Sequence, residues 1–158
     1  MAEEIERKFV LPQPPEWLAD CRRTDVEQGY LVLGDDAEAR VRRIGDRAVL
    51  TVKHGGGLKR QEVEIEISDD QFDALWPLTE GRRIKKVRHY RQVDAGTIEI
   101  DVYGGDHEGL VTAEIELESE RAGAGFEPPQ WMGQEVTGDR RYSNAALATD
   151  GIPRSEGT

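Results

Sequence analysis

Apolar and polar residues alternate along most of this chain with a period of two. A strand gives that period, because successive side chains point to opposite faces. Strands are expected near 3–10, 27–33, 37–44, 47–53, 59–67, 84–91, 96–103 and 110–118. Gly34-Asp35-Asp36, Gly45-Asp46, His54-Gly55-Gly56-Gly57 and Gly104-Gly105-Asp106 supply turns between them. Connections this short join antiparallel neighbours. The period changes in few places. Ser68-Asp69-Asp70 opens a helix, with Ser68 as N-cap and acids in the first turn. Phe72, Leu75 and Trp76 follow at helical spacing, and Pro77 and Gly81 mark the exit. A short helix is expected at 16–21 after Pro14-Pro15, and a terminal one over 143–148, stopped near Gly151 and Pro153. No repeat or linker divides the chain, which reads as one domain over 1–152 with a disordered tail over 153–158.

Charged residues occupy one phase of the alternation. Glu4, Glu6 and Lys8 oppose Ile5, Arg7 and Phe9. Glu38, Arg40 and Arg42 alternate with Ala39 and Val41, and Thr51 and Lys53 with Leu50 and Val52. Glu62 and Glu64 follow Arg60 in phase, opposite Val63 and Ile65. Lys86 and Arg88 flank Val87, Glu99 and Asp101 flank Ile100, and Glu114 and Glu116 flank Ile115. Two architectures fit. In one, an antiparallel sheet turns its apolar face to a core and its charged face to water. In the other, about eight strands close into a barrel, helices cover the apolar outside, and charges line the interior. Recurrence in strand after strand favours the second. The expected fold is mainly β (α+β): an eight-stranded antiparallel β-barrel forming a charged tunnel, with a few helices packed outside. Unpaired charges in a dry interior would each cost several kcal/mol, so the tunnel must hold water and ions. Glu62 and Glu64 are read as further tunnel acids.

Mixed charge of this kind suits a triphosphate. Arg40, Arg42, Lys53, Arg60, Lys86 and Arg88 are available as cationic donors along its length, and arginine forks match phosphate oxygens. The carboxylates are hard oxygen donors, which suit Mg²⁺ or Mn²⁺. The net charge of −11 argues against a broad basic surface for nucleic acid, though local placement still permits a phosphorylated ligand. Cys21 is the single cysteine, so neither an intramolecular disulfide nor a cysteine zinc site is expected. No apolar run approaches the roughly 20 residues of a membrane span, and the acidic N-terminus lacks a signal-peptide pattern. A soluble cytoplasmic protein is expected. His54-Gly55-Gly56-Gly57 lacks the GK[ST] that completes a phosphate loop and reads as a hairpin. His54, His89 and His107 show no metal-ligand spacing. Trp17, Trp76 and Trp131 are expected to pack helices on the barrel, and Cys21 to be a packed small side chain. Arg7, Arg82, Arg83 and Lys85 are out of phase with the charged face and read as surface charges.

Glu4-Ile5-Glu6-Arg7-Lys8 is an ExExK sequence, and its position at the N-terminus gives it weight. Further segments follow in order: Gln28-Gly29-Tyr30-Leu31, Arg40-Val41-Arg42, Thr51-Val52-Lys53, Arg60-Gln61-Glu62-Val63-Glu64, residues 80–88, Glu114-Ile115-Glu116 and residues 135–144. On these residues, spanning roughly 3 to 147, the chain resembles the CYTH domains, the triphosphate tunnel metalloenzymes, and is similar to their compact bacterial tripolyphosphatases. The resemblance implies a tunnel open at both ends and metal-dependent hydrolysis of a triphosphate. It implies that Glu4, Glu6, Glu114 and Glu116, with Asp101, are metal-associated. Lys8, Arg40, Arg42, Lys86 and Arg88 would grip phosphate, with Arg60 and Arg141 as further members. Lys53 and Tyr30 would lie near the reacting phosphate, Lys53 helping to position or activate water. Tripolyphosphate is the expected substrate, since the chain carries no added domain. The alternatives are a thiamine triphosphatase, a class IV-type adenylyl cyclase, or a polyphosphate- or nucleotide-binding module without turnover. No nucleic-acid or membrane partner is expected, and a barrel side leaves room for a homodimer.

Overall fold

The computed structural model describes residues 5–55 and 61–153. Among the described residues, nine strands form one antiparallel sheet: β1 (Ile5–Val10), β2 (Arg22–Leu33), β3 (Ala37–Ile44), β4 (Arg47–His54), β5 (Gln61–Ile67), β6 (Arg83–Val93), β7 (Gly96–Tyr103), β8 (Val111–Leu117) and β9 (Gln134–Glu135). Their order is β5-β4-β3-β2-β6-β7-β8-β1-β9. Among the described residues no ladder joins β5 to β1 or β9. The period-two segments at 37–44 and 96–103 become β3 and β7 at those bounds. β2 starts earlier than its apolar alternation, at Arg22, because its first residues pair with β6 from Arg22↔Tyr90 onward. No helix among the described residues is long and apolar enough to cross a membrane.

The apolar phase of the strands builds two outer cores. Phe9, Ile98, Ile100, Ala113, Ile115 and Leu117 pack on one flank with Leu18, Met132, Trp17, Phe126 and Trp131. Trp17 and Trp131 meet edge to face, 4.9 Å apart. On the other flank, helix α1 (Asp69–Leu75) sets Phe72 on Val41 and Ala48. Ser68 caps α1 as expected, and Gln71 completes a capping box by accepting from the Ser68 backbone N–H at 2.8 Å.

After α1 the chain continues as a 3-10 turn, Trp76–Thr79, that presses on β2 at Gly29. A Cβ on Gly29 would lie 2.5 Å from Thr79, so only glycine permits this approach. Thr79 is buried, donates to the Trp76 carbonyl at 2.7 Å and accepts from Arg83 Nε at 2.9 Å. Arg82 Nε donates to the Tyr30 carbonyl at 3.0 Å.

Two sequence expectations need correction. Arg7 and Arg83, read as surface charges, are structural clamps on the outer face. Arg7 holds Glu135 with a two-pronged contact at 2.7 and 2.8 Å and donates to the Gly123 and Phe126 carbonyls at 2.8 Å. It thereby ties β9 and the short helix α2 (Glu120–Gly125) to β1, and neither element was foreseen. The second correction concerns the terminal helix, α3 (Asn144–Asp150). It is not packed outside: Leu147 joins Ile84 and Tyr103, with Val10 beside them, and these share the phase of the charged residues. α3 therefore packs on the same face as the charged residues, against the ends of β1, β6 and β7.

Candidate active site

Cross-strand register carries the charged phase onto one surface. Glu6 faces Glu116, and Lys8 faces Glu114, which faces Glu99. Asp101 sits between Thr112 and Arg88. Gln28 faces Arg42, Tyr30 faces Arg40, Arg40 faces Thr51, and Glu38 faces Lys53. Thr51 and Lys53 in turn face Glu64 and Glu62. In sheet order β1 and β4 are six strands apart, about 29 Å on a flat sheet at about 4.8 Å per strand. Yet Glu6, Lys8 and Glu114 line one cavity with Tyr30, Glu38, Arg40 and Lys53. The sheet curls until its two flanks face each other. Residues 136–140 and 142–145 form the remaining wall of this cavity, which encloses about 620 Å³.

The acidic flank lies on β1, β7 and β8. A carboxyl–carboxylate hydrogen bond to Glu114, then burial, then the charges of Glu114, Glu116 and Glu99 push the Glu6 carboxyl up to about 7. Like charge raises Glu6 even though Lys8 faces Glu114 and Arg88 holds Glu99 at 2.6 Å, so carboxylates outnumber cations on this flank. Among the described residues no three are gathered into a ready metal cage, and Glu4 lies outside them. The donor set is all oxygen and self-repelling, which fits a hard divalent ion.

The basic flank lies on β2, β3 and β4. Burial, with the nearby charges of Arg40 and Arg88, pushes Arg42 below its usual range. Four polar atoms here have no protein hydrogen-bond partner: Arg40 Nε, Arg42 Nε, Gln28 Oε1 and Thr51 Oγ1. Each such group costs about 1–3 kcal/mol when buried. Lys53 stands 3.9 Å from Glu38, a loose pair. Tyr30 is buried, and that burial holds its hydroxyl above the usual range, protonated at neutral pH.

Between the flanks the charge is already balanced. Arg88 grips both oxygens of Asp101 at 2.9 and 3.1 Å and reaches Glu99 at 2.6 Å. Lys86, 2% exposed, stands 3.0 Å from Asp101. Asn144 Oδ1 accepts from Lys86 Nζ and from the Tyr103 hydroxyl, both at 3.2 Å. Burial works against the Asp101 charge, but Lys86 and Arg88 hold its carboxyl below the usual range. Burial also lowers the Lys86 ammonium, with Asp101 partly offsetting it. Lys8 resembles Lys86: burial lowers it, Glu114 opposes the shift, and its ammonium donates to the Tyr142 carbonyl at 2.6 Å.

The expected site residues thus separate. Glu6, Lys8, Tyr30, Arg40, Lys53 and Glu114 share the cavity, and Arg42 and Glu116 continue the same face. Lys86, Arg88 and Asp101 are on that face but bound to one another. Glu62 and Glu64 are in phase and exposed on β5. Arg60 lies outside the described residues. Arg141 is exposed and clasps Asp139 at 2.7 Å, while its neighbour Arg140 lines the cavity. Both arginines sit in a 3-10 turn, where a period-two reading has no purchase. Gln28, Thr51 and Asn144 were unassigned because neutral residues do not stand out in a charge pattern. Glu99 and Glu38 were in phase, which was signal enough to include them.

The family model of the CYTH domain matches residues 2–143. An inorganic triphosphatase of Nitrosomonas europaea is 44% identical over 147 residues, covering 92% of this chain and 96% of that protein. One of Acetivibrio thermocellus is 40% identical over 149 residues, covering 93% and 94%. A crystal structure of an inorganic triphosphatase superposes with a TM-score of 0.80 at 40% identity, over 97% of this chain and 99% of that one. With the charged face built from the segments that carried the resemblance, and the match running through nearly all of them, the chain belongs to the CYTH-domain family.

Proposed function

We propose that this protein is a divalent-metal-dependent inorganic triphosphatase that cleaves tripolyphosphate to pyrophosphate and phosphate. The observation that carries the reading is the opposition across one cavity: Arg40 and Lys53 line one side, and Glu6 and Glu114 the other. A polyanion answers the first and a cation the second. The names of the relatives support inorganic triphosphate over a nucleotide.

In this reading the curled sheet is a tunnel, completed by the approach of β5 to the β1 flank. Arg40 and Arg42 bind phosphate oxygens through their forks. Lys8 adds a point charge where the flanks meet. Tyr30, kept protonated by burial, donates a hydrogen bond and does not act as base. Lys53, loosely held by Glu38, is free to orient water at the terminal phosphorus. Glu6, Glu114 and Glu116, with Glu4, would hold Mg²⁺ or Mn²⁺, which neutralises charge developing on the phosphates. Asp101 balances Lys86 and Arg88 and is a scaffold group. Residues 136–145 keep bulk water off one side of the cavity.

The test is product analysis after incubation with tripolyphosphate, ATP and thiamine triphosphate, each with Mg²⁺, Mn²⁺ or chelator. Metal-dependent orthophosphate and pyrophosphate from tripolyphosphate, well ahead of the other two, is the expected result. Binding without turnover of any substrate would make the protein a polyphosphate-binding module, and cyclic AMP from ATP would make it a cyclase.

A further inference from the structure

Gln28 and Thr51 are each 1% exposed, and neither lines the cavity. They cannot touch a ligand there, yet each leaves a polar atom without a protein partner. An apolar residue would fill either place at no such cost. Their positions explain their presence. Gln28 is the direct cross-strand partner of Arg42, and Thr51 of Arg40, which sets the paired Cβ atoms about 5 Å apart. The four unpartnered atoms are therefore two N–H donors on the guanidiniums and two acceptors beside them. A small rotamer change, or one bridging water, joins donors to acceptors. Gln28 Nε2 also donates to the Tyr30 hydroxyl at 3.2 Å, and Arg40 is the cross-strand partner of Tyr30. A donor on that oxygen uses one lone pair and turns the hydroxyl's own proton away from Gln28.

We propose that Gln28 and Thr51 are positioning residues for phosphate binding, a buried polar floor that fixes Arg40, Arg42 and Tyr30 with their outer donors toward the cavity. With Nε held from below, each guanidinium offers its terminal Nη pair, so the floor selects end-on phosphate contact over side-on. The inference rests on the triphosphatase reading above and deepens it.

Thr51→Val removes the hydroxyl and keeps the branched shape, Thr51→Ser restores the hydroxyl, and Gln28→Met removes the carboxamide at similar length. Each is assayed for kcat and KM with tripolyphosphate, for calorimetric binding of tripolyphosphate in chelator, and for Tm. The expected result is a rise in KM and Kd of about tenfold in Thr51→Val and Gln28→Met, or about 1.4 kcal/mol. kcat should stay within about twofold, and Thr51→Ser should return to wild type. Unchanged KM and Kd in Thr51→Val overturns the floor. So does a loss shared by Thr51→Ser, or one seen only as lower kcat and Tm, since a merely structural role gives that result. If wild type shows no turnover, the triphosphatase reading falls, and the Kd comparison still decides the floor. If Gln28→Met fails to fold, the Thr51 pair decides it.

Discussion

The acidic and basic flanks of the charged face are unbalanced in opposite senses, and the strip between them is balanced. On β1, β7 and β8 the carboxylates crowd one another until Glu6 holds its proton up to about 7. On β3 the guanidiniums of Arg40 and Arg42 crowd one another and leave N–H groups unpartnered. Between them Arg88 and Lys86 are matched by Asp101 and Glu99, all within 3.1 Å. All are charged and in phase, so type and position alone do not separate site from scaffold. Local neutrality does. Imbalance marks where a ligand of the opposite sign belongs, and balance marks a group that holds the fold.

That distinction can be broken most decisively in the middle. Asp101→Asn leaves Lys86 and Arg88 without their shared counter-charge, and should lower the unfolding free energy by about 3–5 kcal/mol. Denaturant titration checks this, and a change under about 1 kcal/mol would return Asp101 to the ligand group. Arg42→Met, which keeps the aliphatic stem, should do the reverse. kcat/KM for tripolyphosphate should fall about 10²–10³-fold, while Tm holds or rises, because a buried cation repelled by Arg40 and Arg88 is gone. A large Tm loss with intact kcat/KM would make Arg42 scaffold.

The acidic flank sharpens the comparison with smaller effects. Glu6→Gln should weaken Mg²⁺ activation on the order of tenfold or more, yet raise the Tm of chelated protein by relieving repulsion. A parallel fall in both would contradict the like-charge account. The smallest effect is with pH. Glu6 titrates near 7 in the fold against 4.5 as its ordinary value, so the folded state binds the proton more tightly. That contribution is fully present below pH 4.5 and is lost as pH rises through 7. Tm of chelated wild type should carry a decline across this window that Glu6→Gln lacks.

The period-two pattern made most of the fold legible. Charges in one phase reached one face because antiparallel register keeps facing residues on the same side. The balance of charge was not legible, since Asp101 meets Lys86 and Arg88 only through the pairing of β6 with β7. Nor was the place of α3: Leu147 announces an apolar stripe but not which surface it will cover. Gly29 was visible as part of a motif, while the need for glycine came from Thr79, distant in sequence. Arg140 and Arg141 are adjacent and chemically identical, and only the turn decides which one lines the cavity.

The position of α3 has a consequence for long phosphate polymers. With Leu147 seated on Ile84 and Tyr103, and Val10 beside them, the strands β1, β6 and β7 end against a helix. In the triphosphatase reading proposed above, a chain of many phosphates lying along these strands would meet Leu147 at that end, so that reading favours short substrates over long polymers.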